Sequence, residues 1–99
     1  MYSVQEIKER LQDFFESKPI NKAWIFGSYA RGEQTKQSDI DILVDFNRDN
    51  YPSLLKHAGF ILELEEMLDS KIDLIPLDCL YDYVKNTIEK DKILIYERS

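Results

Sequence analysis

Ninety-nine residues suffice for one compact domain and leave no room for a second core. Hydrophobic residues make up 43% of the chain and charged residues 32%, with three Gly and three Pro, which excludes disordered, collagen-like and low-complexity classes. Thirteen Lys and Arg against nineteen Asp and Glu give a net charge of −6. Such a surface repels phosphate backbones and argues against direct DNA or RNA binding. A nucleotide held through a cation stays compatible with it, because a metal reverses the local charge logic. The single cysteine, Cys79, cannot form an internal disulfide. No apolar run approaches the ~20 residues needed to cross a bilayer, and the opening MYSVQEIKER is polar and helix-like, unlike a signal peptide. These features predict a soluble cytoplasmic protein with one domain over residues 1–99.

In chain order, Ser3 and Glu6 fit a capping box. Val4, Ile7, Leu11 and Phe14 or Phe15 follow at helical spacing, so 3–17 reads as an amphipathic helix that ends at Lys18-Pro19. The run 22–27, KAWIFG, predicts a buried strand. One helical turn from Ser28 and a polar loop then lead to 39–46, DIDILVDF. In that strand Ile40, Ile42, Val44 and Phe46 share one face, and Asp39, Asp41, Leu43 and Asp45 the other. Asn47 to Tyr51 is a polar turn. Pro52-Ser53 opens a helix to about Leu68, with Leu54, Leu55, Ala58, Ile61, Leu62, Glu65 and Leu68 tracing its period. Residues 71–77, KIDLIPL, predict a third strand, Asp78 a cap for a last helix carrying Leu80, Val84 and Ile88, and 93–96 a short terminal strand.

The chemistry concentrates in residues 27–46. Asp39 and Asp41 sit two apart on a strand, so their carboxylates leave one face roughly 7 Å apart. Aspartate is a poor strand former, and like charges this close raise each other's pKa unless a cation compensates. Hard oxygen ligands of this kind suit Mg²⁺, which typically takes one or two carboxylates plus substrate phosphates. An outward strand face that is merely acidic is the plain alternative. Gly27-Ser28, at a strand-to-helix corner, offers backbone N–H groups and a hydroxyl to a phosphate, or simply makes a tight turn. Asp73 on a neighbouring strand would supply a third acid for phosphoryl or nucleotidyl transfer, or be a solvated residue beside Lys71. Arg31 would face a triphosphate, or fix the loop by pairing with a carboxylate.

Taken together, Gly27-Ser28, ten further residues, then Asp39-Ile40-Asp41 resembles the signature of the DNA polymerase beta-like nucleotidyltransferase superfamily. The fuller pattern GSYARG…SDIDILV is similar to the minimal nucleotidyltransferase (MNT) branch, and Asp73 in KIDLI matches the third acidic position. The resemblance covers nearly the whole chain. It implies an α/β fold, a small mixed sheet with helices packed on one side and with strands 22–27 and 39–46 adjacent. It implies that Gly27, Ser28 and Arg31 bind the nucleotide and that Asp39, Asp41 and Asp73 form the catalytic, Mg²⁺-binding acidic site, with ATP as co-substrate. MNT proteins are commonly antitoxin partners of HEPN toxins, which are helical RNases. By that resemblance the chain would transfer AMP from ATP to a toxin tyrosine.

The short chain fits a protein acceptor, which presents its own surface where a small molecule needs a deep pocket. An acidic antitoxin also suits a partner with a basic RNA-binding surface. The alternatives are an antitoxin that acts by binding alone and a nucleotidyltransferase for a small molecule of the aminoglycoside type. His57 has no second ligand at metal spacing and reads as structural or surface. Cys79 reads as a small near-buried residue, Trp24 as core, and 89–92 as a solvated face. Six tyrosines, Tyr81, Tyr83 and Tyr96 among them, exceed the needs of a small core and suit a contact surface.

Overall fold

The computed structural model describes residues 2–80 and 82–98. Helix α1 spans Val4–Ser17, strand β1 Ile20–Phe26, the single turn α2 Ser28–Arg31, and β2 Ile40–Phe46. Helix α3 follows over Leu54–Leu68, then β3 over Ile72–Pro76, α4 over Asp82–Asp91 and β4 over Ile93–Glu97. The expected order of elements is present. The predicted capping box forms: Ser3 Oγ accepts from the Glu6 amide, and Glu6 Oε1 accepts from the Ser3 amide, each at 3.1 Å. Ser53 caps α3 by accepting from the Lys56 amide at 3.2 Å. β1 begins at Ile20, two residues before the expected start.

The strand order is β3-β2-β1-β4. β1 runs antiparallel to β2 and to β4, whereas β2 and β3 are parallel, so the sheet is mixed. A parallel pair needs a crossover between its strands, and α3 supplies it. Ile40, Ile42, Val44 and Phe46 are buried together as the alternation predicts. Ala23 and Ile25 of β1, Ile72 and Leu74 of β3, and Ile95 of β4 extend this apolar surface across the sheet. Ile7, Leu11, Phe14 and Phe15 of α1 and Leu64 and Leu68 of α3 complete the cluster. Burying each such side chain stabilises the fold by about 1.5–3 kcal/mol. Leu43, on the acidic face, is also buried, as is Ile88 of α4.

Four local expectations need correction. In α3 the buried positions are Leu64 and Leu68, with Phe60 and Ile61 packed against the core, while Leu54, Leu55 and Leu62 stay 91%, 85% and 66% exposed. Apolar residues cover more than half of this helix's circumference, with Lys56, Glu63 and Glu66 on the remainder, so its period alone does not say which side meets the sheet. Asp78 does not cap the last helix, which starts at Asp82; it lies in a 3₁₀ turn and accepts a 2.9 Å hydrogen bond from the Tyr51 hydroxyl. Cys79 is exposed. Trp24 is half-buried rather than core, with the Lys92 ammonium 4.5 Å above its ring. His57 is structural: its Nε2 hydrogen-bonds the Leu74 carbonyl at 2.9 Å, tying α3 to β3. The 89–92 stretch carries a Lys92–Glu89 ion pair at 2.9 Å, with the glutamate exposed and the lysine largely covered. Tyr81, and the side chains of Tyr83 and Val84, lie outside the described residues. Among the described residues no helix is long and apolar enough to cross a membrane.

Candidate active site

The site forms where the ends of three strands and one tight corner meet. β1 ends at Phe26, whose register partner on β2 is Asp41. The chain then turns at Gly27, with φ +73° and ψ −148°, conformations that residues with a Cβ adopt only under strain. The turn delivers α2, whose first amides have no acceptors inside the helix and face outward from its start. The Arg31 amide donates back to the Gly27 carbonyl at 3.2 Å, and Gly32, at φ +71°, ends the turn in the left-handed conformation.

Gly27 is also dictated by space. A Cβ at position 27 would overlap Oδ2 of Asp41 and stand 3.2 Å from its Cγ. The corner and the acid are therefore in contact, as a shared phosphate site requires.

β2 and β3 are in parallel register with Asp41 opposite Asp73, so both carboxylates leave the same face on neighbouring strands. Asp41 is half-buried and Asp73 exposed. Asp39 immediately precedes β2, at the end of a loop shaped by Thr35 and Ser38: the Thr35 amide donates to Ser38 Oγ at 2.9 Å, and the Ser38 amide to the Thr35 carbonyl at 3.1 Å. The Ile40 amide then joins the Lys71 carbonyl at 2.9 Å and starts the β2–β3 ladder.

The electrostatics follow from this packing. Burial, the Asp73 charge, a hydrogen bond with Asp73 and the Asp39 charge, in that order, push the Asp41 carboxyl up from 3.8 to about 6; the Arg31 charge opposes them. Asp73, the register partner of Asp41 on β3, and Asp39 both act on the Asp41 carboxyl through their charge. No three His, Cys, Asp or Glu side chains among the described residues are already gathered at metal-ligand spacing. The donor set nevertheless fits a hard divalent cation: anionic oxygens only, mutually repelling, with substrate phosphates to complete the shell.

Arg31 lies at the same end of the molecule. Its Nε meets Glu33 Oε1 at 2.6 Å and its Nη1 lies 3.9 Å from Asp91 Oδ2. The carboxylate pairing weighed in the sequence is the one present, and Asp91, at the end of α4, is a partner that sequence spacing did not signal. On the acidic face Asp73 is exposed while Leu43 is buried. A cavity of about 430 Å³ lined by Asp45, Phe46, Arg48, Tyr51, Leu77 and Asp78 lies at the far end of β2, away from these acids.

Known proteins resemble this chain over nearly its whole length. The family model described as "Nucleotidyltransferase domain" matches residues 4–95. The Methanocaldococcus jannaschii protein MJ1379 is 44% identical over 103 residues, covering 96% of this chain and all of that protein. Protein adenylyltransferase MntA of Thermococcus cleftensis is 32% identical over 99 residues, covering 96% of this chain and 98% of its own length. Among solved structures, a toxin–antitoxin complex with AMP-PNP shares the fold at TM-score 0.79 and 20% identity, over 93% of this chain and 74% of that one. A tri-AMPylated Shewanella oneidensis HEPN toxin with its MNT antitoxin matches at TM-score 0.73 and 18% identity, over 96% and 73%. The chain belongs to the nucleotidyltransferase family, in its minimal, protein-adenylyltransferase branch.

Proposed function

We propose that this protein is the antitoxin of a HEPN-type RNase toxin and that it acts by transferring AMP from ATP to a tyrosine hydroxyl of that toxin. The Asp41–Asp73 pair set against the Gly27 corner carries this reading. The adenylyltransferase relatives and the HEPN–MNT complexes of the same fold support the partner and the group transferred.

In this reading Gly27, Ser28 and the first amides of α2 bind the nucleotide phosphates, and the absent Cβ at Gly27 lets them approach Asp41. Asp41 and Asp73, with Asp39 beside them, hold Mg²⁺. When bound, that ion neutralises the phosphates and the charge that develops on them. The tyrosine oxygen attacks the α-phosphorus, a new P–O bond forms, the α–β bridging bond breaks and pyrophosphate leaves. Asp73, the exposed member of the pair, accepts the phenolic proton. Arg31, bound to Glu33 and Asp91, holds the corner in shape and adds positive charge on the phosphate side.

The exposure of Asp73 suits an acceptor that brings its own surface to the site, where a small molecule would need a pocket that buries most of it. The chain would act in the cytoplasm, where its RNase partner and ATP meet. Intact mass of the co-expressed toxin tests the proposal. AMP adducts are expected with the wild type and none with the Asp39→Ala, Asp41→Ala double variant, although the complex still forms. Neutralisation by that variant without any adduct would defeat catalytic antitoxicity.

A further inference from the structure

We propose that the exposed face of α3 is a self-association surface, on which two copies of this chain pair through antiparallel α3 helices. This goes beyond the adenylyl-transfer site and does not depend on it.

Leu55, Ala58, Gly59 and Leu62 fall on the helix side opposite the buried Leu64 and Leu68, and all four are exposed. Leu55 and Leu62 stand 85% and 66% exposed, and Leu54 beside them 91%. Three such leucines on one short helix form a contiguous apolar patch, a feature that marks contact surfaces.

The pattern identifies the occupant because it is self-complementary. A two-fold axis between Ala58 and Gly59 sets Leu55 of one copy against Leu62 of the other and Ala58 against Gly59. Small residues then lie at the crossing, where two backbones come closest, and leucines lie on either side. Gly59 fits this role and has no role within its own fold. It sits in the helix interior, where glycine costs about 1 kcal/mol relative to alanine, and a Cβ there would meet nothing within 4 Å.

Charge agrees. Lys56 and Glu63 are seven residues apart, hence on the same flank of the helix, and both are exposed. In the antiparallel pair Lys56 of each copy lies within about 3 Å, along the axis, of Glu63 of the other, at 1.5 Å rise per residue. Glu63 already binds Lys18 through Oε2 at 3.0 Å and keeps Oε1 for a second ammonium. A patch of this size is small against a standard interface of roughly 800 Å² per partner, so a weak, concentration-dependent dimer is expected.

The purified full chain tests this by light scattering over a concentration series. The wild type should pass from monomer to dimer. Leu62→Glu and Gly59→Leu should each raise the dimer dissociation constant at least about tenfold, while far-UV circular dichroism stays unchanged because both sites face solvent. Lys56→Glu and Glu63→Lys should each weaken the dimer and their combination restore it. In a Cys79→Ser background, Gly59→Cys should cross-link to its own copy on mild oxidation. A monomer at every concentration would overturn the proposal, as would a dimer indifferent to Leu62→Glu and to the charge exchange. A patch occupied by a different protein would appear as that monomer. AMP transfer is read separately, so failure here leaves the proposed activity standing, and the reverse holds too.

Discussion

Gly27 and Asp41 compete for one volume: the site that a side chain would take at position 27 is filled by the Asp41 carboxylate. The antiparallel pairing of Phe26 with Asp41 creates this contact, and with it the corner where the proposed function sets phosphate against acid. Gly27→Ala should therefore fail twice, through a strained backbone at φ +73° and through collision with Asp41. Displacing the acid by about 1 Å can cost on the order of 10²-fold in rate, and the protein should also melt several degrees lower. Gly32→Ala is the control. Its φ is +71° but the space around it is open, so only the backbone cost of about 1–2 kcal/mol applies. Thermal unfolding and transfer rate measured side by side separate the two.

Asp41 gives the fold a pH dependence of defined sign. Its carboxyl is pushed from 3.8 to about 6 in the folded state, first by burial and then by Asp73. A group whose folded pKa is raised favours the native state fully below its unfolded value, and that contribution disappears as pH rises through the folded value. The metal-free protein should lose stability between about pH 4 and 6 from this group. Asp41→Asn, which carries no charge, should melt higher than wild type at pH 7.5 and equally at pH 3.5, while losing transfer activity. Melting curves across that range in the presence of a chelator check it.

Arg31 opposes that rise in Asp41. Arg31→Ala should move the Asp41 carboxyl further upward, visible as a shifted carboxyl resonance in a ¹³C titration. The same change should alter stability little, because its ion pairs with Glu33 and Asp91 are solvent-exposed and such pairs contribute about 0–1 kcal/mol.

Arg98 is predicted to matter for stability rather than chemistry. Its Nε donates to the Ile20 carbonyl at 3.0 Å, and its Nη2 to those of Phe15, Glu16 and Lys18 at 3.0, 3.2 and 2.9 Å. The residue beyond β4 thus closes the α1–β1 junction. Arg98→Ala should cost about 2 kcal/mol, and Arg98→Lys should recover little of it, because an ammonium cannot reproduce the planar fork. Chemical denaturation reads the loss.

Much of this was legible in the residues. Ser3 and Glu6 announced α1, the alternation of Ile40, Ile42, Val44 and Phe46 placed β2 and its buried face, and Gly27-Ser28 with Asp39, Asp41 and Asp73 pointed to the acidic corner. What local pattern could not supply was the partner across space. Leu54, Leu55 and Leu62 trace the helical period of α3 as Leu68 does, and only the sheet decides which side is covered. Asp78 looked like a cap because the intervening 3₁₀ turn and its tie to Tyr51 are products of tertiary packing. The Arg31–Asp91 contact joins elements sixty residues apart, and the Arg98 clasp spans nearly the whole chain.

The central claim is that the Asp41–Asp73 pair beside Gly27 transfers AMP. The most direct measurement is transfer of label from α-labelled ATP to the co-purified toxin by wild type, Asp41→Asn and Asp73→Asn, with complex formation confirmed for each. Labelling by the wild type, with a loss of at least about 10³-fold in both variants, is the predicted result, the range expected when a group acting on the transition state is removed. Undiminished labelling by either variant would contradict it.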